Sequence, residues 1–137
     1  MTKPLFRKID CYLLKAPSLD AAAKFYGERL GLALIWRSDT ALGFAMPETD
    51  AELVVHTQTG PETDLLVDDV NEAHAKLLSA GATSIVAPFD IAIGRCAVVK
   101  DPFGNVLTIL DQSKGLLQTD SAKNVTGLKS RLAEKRP

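Results

Sequence analysis

The residues most able to do chemistry in this 137-residue chain are few: Cys11, Glu52, His56, His74 and Cys96, with Trp36, Arg37 and Arg95 as candidate ligand contacts. Glu52 sits inside the apolar run Ala51-Glu-Leu-Val54, where a carboxylate needs a partner if it faces inward, or else lies on a solvated edge. His56 lies two pleats further along and on the same face, so the two are candidates for a hydrogen-bonding or acid/base pair near neutral pH. Cys11 reads as a small buried apolar residue, because nothing nearby in the sequence depresses a thiol pKa. Trp36 and Arg37 are adjacent, and alternation sends only one inward. Trp36 groups with Leu32 and Leu34 as core or dimer contact, whereas an inward Arg37 anchors an anion. Arg95, after Gly94, reaches a ligand carboxylate or pairs with Asp90. His74 falls on an amphipathic helix and reads as a solvated helix residue.

Several chemistries find no sequence support. There is no glycine-rich phosphate loop, no Ser/His/Asp order and no CxxC pair. Sixteen Lys and Arg against seventeen Asp and Glu give a formal charge of −1, which favours neither nucleic acid nor an anionic membrane surface and leaves a small-molecule ligand as the expected partner. No stretch approaches the roughly 18 to 20 apolar residues that span a bilayer, and Met1-Thr-Lys-Pro-Leu-Phe-Arg-Lys8 lacks a signal-peptide core, so a cytoplasmic location is expected. Both cysteines are then thiols and the Asn124-Val-Thr126 sequon is incidental.

The elements that must position these groups follow from periodicity. Lys8 to Leu14 alternates as a strand; Ser18 caps a helix whose stripe is Leu19, Ala22, Ala23, Tyr26 and Leu30, ended by Gly31. Strands are predicted for Leu32 to Arg37, Ala41 to Met46 and Ala51 to Thr57. The pattern then restarts. Asp64 to Val67 is a strand, Asp69-Val-Asn-Glu72 opens a helix with the stripe Val70, Ala73, Leu77 and Leu78, and Gly81 ends it. Further strands are Thr83 to Ala87, Arg95 to Lys100 and Asn105 to Leu110, the last two joined by the turn Asp101-Pro-Phe-Gly104. Gly31 and Gly81 are about 50 residues apart, a spacing that signals internal duplication.

The fold class is therefore α+β, with two tandem βαβββ modules, about residues 7–58 and 62–112, curving into a half-barrel cup within a domain of residues 1–117. Residues 118–137 read as a polar tail, mobile or ordered on a partner. Exposed sheet edges favour a homodimer.

The strings Leu19-Asp-Ala-Ala-Ala-Lys-Phe-Tyr26, Leu30-Gly-Leu32, Val67-Asp-Asp-Val70, Ser79-Ala-Gly81 and Asp101-Pro-Phe-Gly-Asn105, in this order, resemble the vicinal oxygen chelate superfamily of glyoxalase I, extradiol dioxygenases and bleomycin-resistance proteins. The resemblance implies paired βαβββ modules, usually in dimers, and in the metalloenzymes a divalent ion held in the cup as a Lewis acid. Carried over residue by residue, the ligand positions fall on Cys11, on Glu52 with His56 as its rival, on Glu62 and on Thr108. Cys11 and Thr108 depart from the family's His and Glu, and a threonine hydroxyl is a poor ligand. The first expectation is thus a small-molecule-binding cup without a cofactor, its degenerate metal site lined by Cys11, Trp36, Arg37, Glu52, His56, Arg95 and Thr108. The alternative is a metal-dependent lyase, isomerase or dioxygenase of the glyoxalase type, holding Zn, Ni, Mn or Fe on Cys11, Glu52, His56 and Glu62, with Glu52 and His56 as candidate catalytic groups. A third reading is an interaction protein whose cup is filled by its own side chains.

Overall fold

The computed structural model describes residues 3–129. They divide into two compact units, one formed by Ile9–Thr63 with Gln118–Gly127, the other by Asp64–Leu117 with the stretches ending at Lys8 and beginning at Leu128.

In the first unit the chain runs through β1 (Lys8–Lys15), α1 (Leu19–Ala22) and a π-helical continuation (Ala23–Arg29), then β2 (Ala33–Arg37), β3 (Ala41–Met46) and β4 (Thr49–His56). The Ser18 hydroxyl accepts the Ala21 N–H and starts the helix as its sequence position predicts. Strand order is β2-β3-β4-β1, with β1 parallel to β4 and the other pairs antiparallel. Alternation divides the side chains. Leu42, Phe44, Leu53 and Val55 pack under Ala22, Ala23, Leu19 and Tyr26 of the helix, while Cys11, Leu13, Ala41, Val54 and Trp36 cluster on the opposite, helix-free face. Burying a side chain such as Phe44 or Leu42 almost completely contributes about 2 kcal/mol.

Two local irregularities change what the sequence pattern predicts. The wider π-helical turn, marked by the Leu30 N–H donating to the Phe25 carbonyl, rotates Leu30 off the expected stripe and leaves it 56% exposed. In the β2–β3 ladder Leu34 opposes Phe44 and Trp36 opposes Gly43, so Ile35 is the extra residue of a β-bulge. Trp36 consequently leaves the face of Leu34, with which spacing had grouped it, and joins the helix-free cluster.

The second unit repeats the plan with β5 (Glu62–Leu66, entering from the first unit), α2 (Val70–Ser79), β6 (Thr83–Ile91), β7 (Gly94–Lys100) and β8 (Val106–Leu110), in the order β5-β8-β7-β6 and with β5 parallel to β8. Val67, Val70, Ala73, Ala97 and Ile109 form its helix-side core, and Leu66, Cys96 and Leu110 a second cluster opposite. The two βαβββ repeats are thus present, and the architecture is α+β.

The start of the expected polar tail is ordered. β9 (Leu116–Thr119) and β10 (Val125–Lys129) form a hairpin, whose turn meets β2 where the Arg37 N–H donates to the Lys123 carbonyl at 2.8 Å. That turn, Asp120 to Asn124, repeats the bonding of Asp101 to Asn105: in each, one aspartate oxygen accepts the N–H groups two and four residues on. Short polar side chains can thus replace apolar periodicity in ordering a segment. The rest of the expected tail, residues 130–137, lies outside the described residues. Among the described residues no helix is long and apolar enough to cross a membrane.

Candidate functional site

The helix-free face of the first unit gathers the most reactive set. β1 and β4 pair in parallel with Cys11 opposite Glu52, and alternation places Glu52 with Val54 rather than with the helix-packed Leu53 and Val55. The bulge in β2 brings Trp36 onto the same face, where its indole N–H donates to Glu52 Oε1 at 2.6 Å. Gly43 makes this possible: a Cβ there would overlap the pyrrole ring of Trp36. Glycine is needed here for lack of a side chain, since the flat ring occupies the space that any side chain would fill. Glu52 and Trp36 are partly buried and Cys11 is 5% exposed. The face thus sets a carboxylate, hydrogen-bonded to an aromatic N–H, beside an apolar floor.

His56 shares the strand but not the contact. Four residues of extended β4 separate it from Glu52, about 13 Å along the strand. Its Nδ1 accepts the N–H groups of Gln58 and Thr59 at 2.9 and 3.2 Å, which caps the turn after β4. The expected Glu52–His56 pair is therefore replaced by Glu52–Trp36. Arg37 is exposed and held at its backbone by the hairpin turn, away from the face taken by Trp36.

In the second unit Thr108 is buried, and its partner across the β5–β8 register is Asp64, itself only 7% exposed. Counting along the sequence had selected Glu62, which stands two residues earlier as the first residue of β5. Arg95 donates through Nε to Asn71 of α2, through one terminal nitrogen to Asp90 and through the other to the Pro88 carbonyl. Of its two sequence readings, the Asp90 pair is the one observed. Hydrogen bonding and charge from Lys114, reinforced by Arg95, hold the Asp90 carboxyl below its usual range. His74 bonds Ser84 of β6 at 2.8 Å, on the helix-covered side.

Asp111 is the polar group that sequence reading passed over. It is 2% exposed; Oδ2 accepts the Val70 N–H at the start of α2, and Oδ1 accepts the N–H groups of Arg95 and Ser113 and the Ser113 hydroxyl. Burial works to raise its pKa, but the combined hydrogen bonds from Val70, Ser113 and Arg95 outweigh it and hold the carboxyl below the ordinary value. Its only sequence signal is an acid directly after an apolar strand.

These positions do not suit the metal set that the resemblance allowed. Among the described residues, no three His, Cys, Asp or Glu side chains stand close enough to share an ion, Glu52 Oε1 is engaged by Trp36, and His56 Nδ1 is spent on backbone amides. Cys11, Glu52, His56 and Glu62 are thus not gathered as ligands.

Residues 11–110 match the model of the glyoxalase-like domain. The chain belongs to this glyoxalase-like family. Solved structures carry the same vicinal-oxygen-chelate fold. Methylmalonyl-CoA epimerase from Mycobacterium tuberculosis is similar with a TM-score of 0.64 at 17% identity, over 81% of this chain and 91% of that one. The 2,3-dioxygenase LapB from Pseudomonas sp. KL28 gives 0.53 at 18% identity over 75% of this chain and 41% of its own. Homoprotocatechuate 2,3-dioxygenase from B. fuscum, as its H200N variant, gives 0.55 at 20% identity over 80% of this chain and 33% of its own. No curated protein sequence matches the chain. At such identities these likenesses establish the fold alone, and a fold of this breadth leaves the reaction to be argued from the site.

Proposed function

We propose that this glyoxalase-like chain binds a small organic molecule against the helix-free face of its first unit, with a metal site that has degenerated. The observation that carries this reading is the Trp36–Glu52 hydrogen bond over Gly43. It presents a flat aromatic surface and a positioned carboxylate next to Cys11, Leu13 and Val54. The metal-dependent lyase or dioxygenase reading draws on the same superfamily but needs a ligand cluster, and among the described residues Cys11, Glu52, His56 and Glu62 do not form one. Two further parts of the reading are proposals. Cys11 and Cys96, both buried as thiols rather than joined in a disulfide, support a cytoplasmic location, and the apolar edge strand β6 supports a homodimer.

The test exploits Trp36 as the sole tryptophan. A fragment set of small aromatic and carbonyl compounds is titrated into ¹⁵N-labelled protein while the single indole N–H resonance is followed. Metal content is measured in parallel on protein purified without chelator. Saturable shifts of that resonance and of backbone amides of β1 and β4 are expected, the amide shifts being lost in Trp36→Ala while the rest of the amide spectrum is kept. Stoichiometric metal together with turnover restored by zinc, nickel, manganese or iron overturns the reading in favour of the metalloenzyme.

A further inference from the structure

We infer that the turn of the β9–β10 hairpin is a clamp on the end of β2, which holds Trp36 on Glu52 while it is docked and releases it when it lifts. The consequence for ligand binding rests on the binding reading above. β2 is the last strand of its unit's sheet, and its ladder partner is β3. Their register shifts at Ile35, immediately before Trp36, and a bulge locally disrupts the ladder. Immediately after Trp36, the Arg37 N–H donates to the Lys123 carbonyl at 2.8 Å, with Asn124 alongside in a parallel bridge. The Ser38 hydroxyl, accepting the Thr40 and Ala41 N–H groups, closes the turn into β3 but does not hold that outer edge. Trp36 therefore stands between an interrupted ladder and a residue fixed from outside the sheet. Its bond to Glu52 needs the face that the bulge selects, and the docked turn holds the strand on the far side of that bulge.

The clamp joins a self-contained tip to a thinly buried ribbon. Within the tip, Asp120 Oδ1 accepts the Ala122 and Asn124 N–H groups, Oδ2 accepts the Asn124 side-chain amide, and the Lys123 N–H returns to the Asp120 carbonyl. These bonds keep the turn in shape whether or not it touches β2. Lys123, the residue in the left-handed conformation, is the one whose carbonyl reaches Arg37. Behind the tip, β10 is exposed beyond Val125, and a two-stranded hairpin is marginal by itself. Such an element opens locally at a small fraction of the global unfolding cost. A ligand that needs Trp36 on Glu52 then strengthens docking of the turn, and docking strengthens the ligand by the same factor.

The test reads the Trp36 indole N–H without ligand, by its resonance and its exchange with solvent. In the unaltered protein the indole and the Arg37 amide are expected to share one opening and one protection factor; an indole that stays protected after the Arg37 amide has exchanged overturns the clamp. Two variants then remove it. Asp120→Ala takes away the acceptor that shapes the turn, and Arg37→Pro takes away the N–H that the turn holds, on an edge strand where proline is tolerated. Each is expected to speed indole exchange about tenfold and to shift the resonance, while the amides of β3 and β4 keep their positions. Asp101→Ala undoes the matching turn of the second unit and is expected to leave the indole as in wild type. An unchanged indole in either clamp variant overturns the inference, and so does an equal change in Asp101→Ala. Fragments that shift the indole in wild type are expected to bind both clamp variants about tenfold more weakly. Unchanged affinity overturns the coupling and leaves the binding face standing. Failure of every fragment to bind wild type, with exchange as expected, overturns the binding reading and leaves the clamp.

Discussion

A residue's importance here follows from the number of elements it ties together. Asp111 bonds the first N–H of α2, the second residue of β7 and the loop after β8, so its loss leaves several donors unsatisfied at once. Asp111→Ala is expected to lower the unfolding free energy by about 3 kcal/mol in urea titrations. Because the folded-state pKa of Asp111 is depressed, its contribution is fully present above the ordinary carboxylate pKa and is lost as pH falls through the folded value. Asp111→Asn should therefore be less stable than wild type near neutrality, with the gap closing on acidification. A gap that stays constant from neutral pH into the acid range would refute the linkage. Gly94 completes the arrangement, since a Cβ there would run into the Asp111 carboxylate.

Elements in this chain depart from ideal geometry where function or connection demands it. The bulge at Ile35 is what turns Trp36 toward Glu52, and the π-helical turn of Ala23–Arg29 is what releases Leu30 to solvent. The hairpin of β9 and β10 carries an imperfection of another kind. In the turn Asp101 to Asn105 the left-handed position is held by Gly104, with φ of 95°, but in the matching turn of the hairpin it is held by Lys123, with φ of 71°. An L-residue there carries a steric cost on the order of 1 kcal/mol that glycine avoids, partly offset by glycine's greater freedom in the unfolded chain. Lys123→Gly is expected to stabilise the protein by about 0.5 kcal/mol in thermal or denaturant unfolding; measurable destabilisation would show that the Lys123 side chain contributes more than its backbone costs.

For the whole molecule, the proposed assembly centres on β6. It is the last strand of its unit's sheet, pairing with β7, and it exposes Ile85, Val86 and Phe89 at 49%, 41% and 40%. Edge strands of this kind are normally blunted by charge; β6 has Pro88 and Asp90 toward one end and an apolar run before them. We expect sedimentation velocity to give twice the chain mass for wild type and the monomer mass for Val86→Lys with Phe89→Lys. A wild-type monomer at micromolar concentration would refute assembly through this strand.

The sequence by itself determined the two βαβββ repeats, the Ser18 and Asp69 helix caps, and the helix-ending glycines Gly31 and Gly81. These depend on local capping chemistry and on alternation within one element, which neighbouring residues dictate. The resemblance placed ligand positions on Glu62 and Thr108, and the β5–β8 ladder sets Asp64 opposite Thr108. Only the tertiary structure decided that register, the turn of Trp36 through the bulge, the diversion of His56 to the Gln58 and Thr59 amides, and the closing of Arg95 onto Asp90 and Asn71. Each is a choice among partners distant in sequence, and one inserted residue in a strand reverses the face of everything after it. For that reason the proposed binding face, legible as a list of candidate residues, took its composition of Cys11, Trp36 and Glu52 over Gly43 from the packing of strands rather than from their spacing.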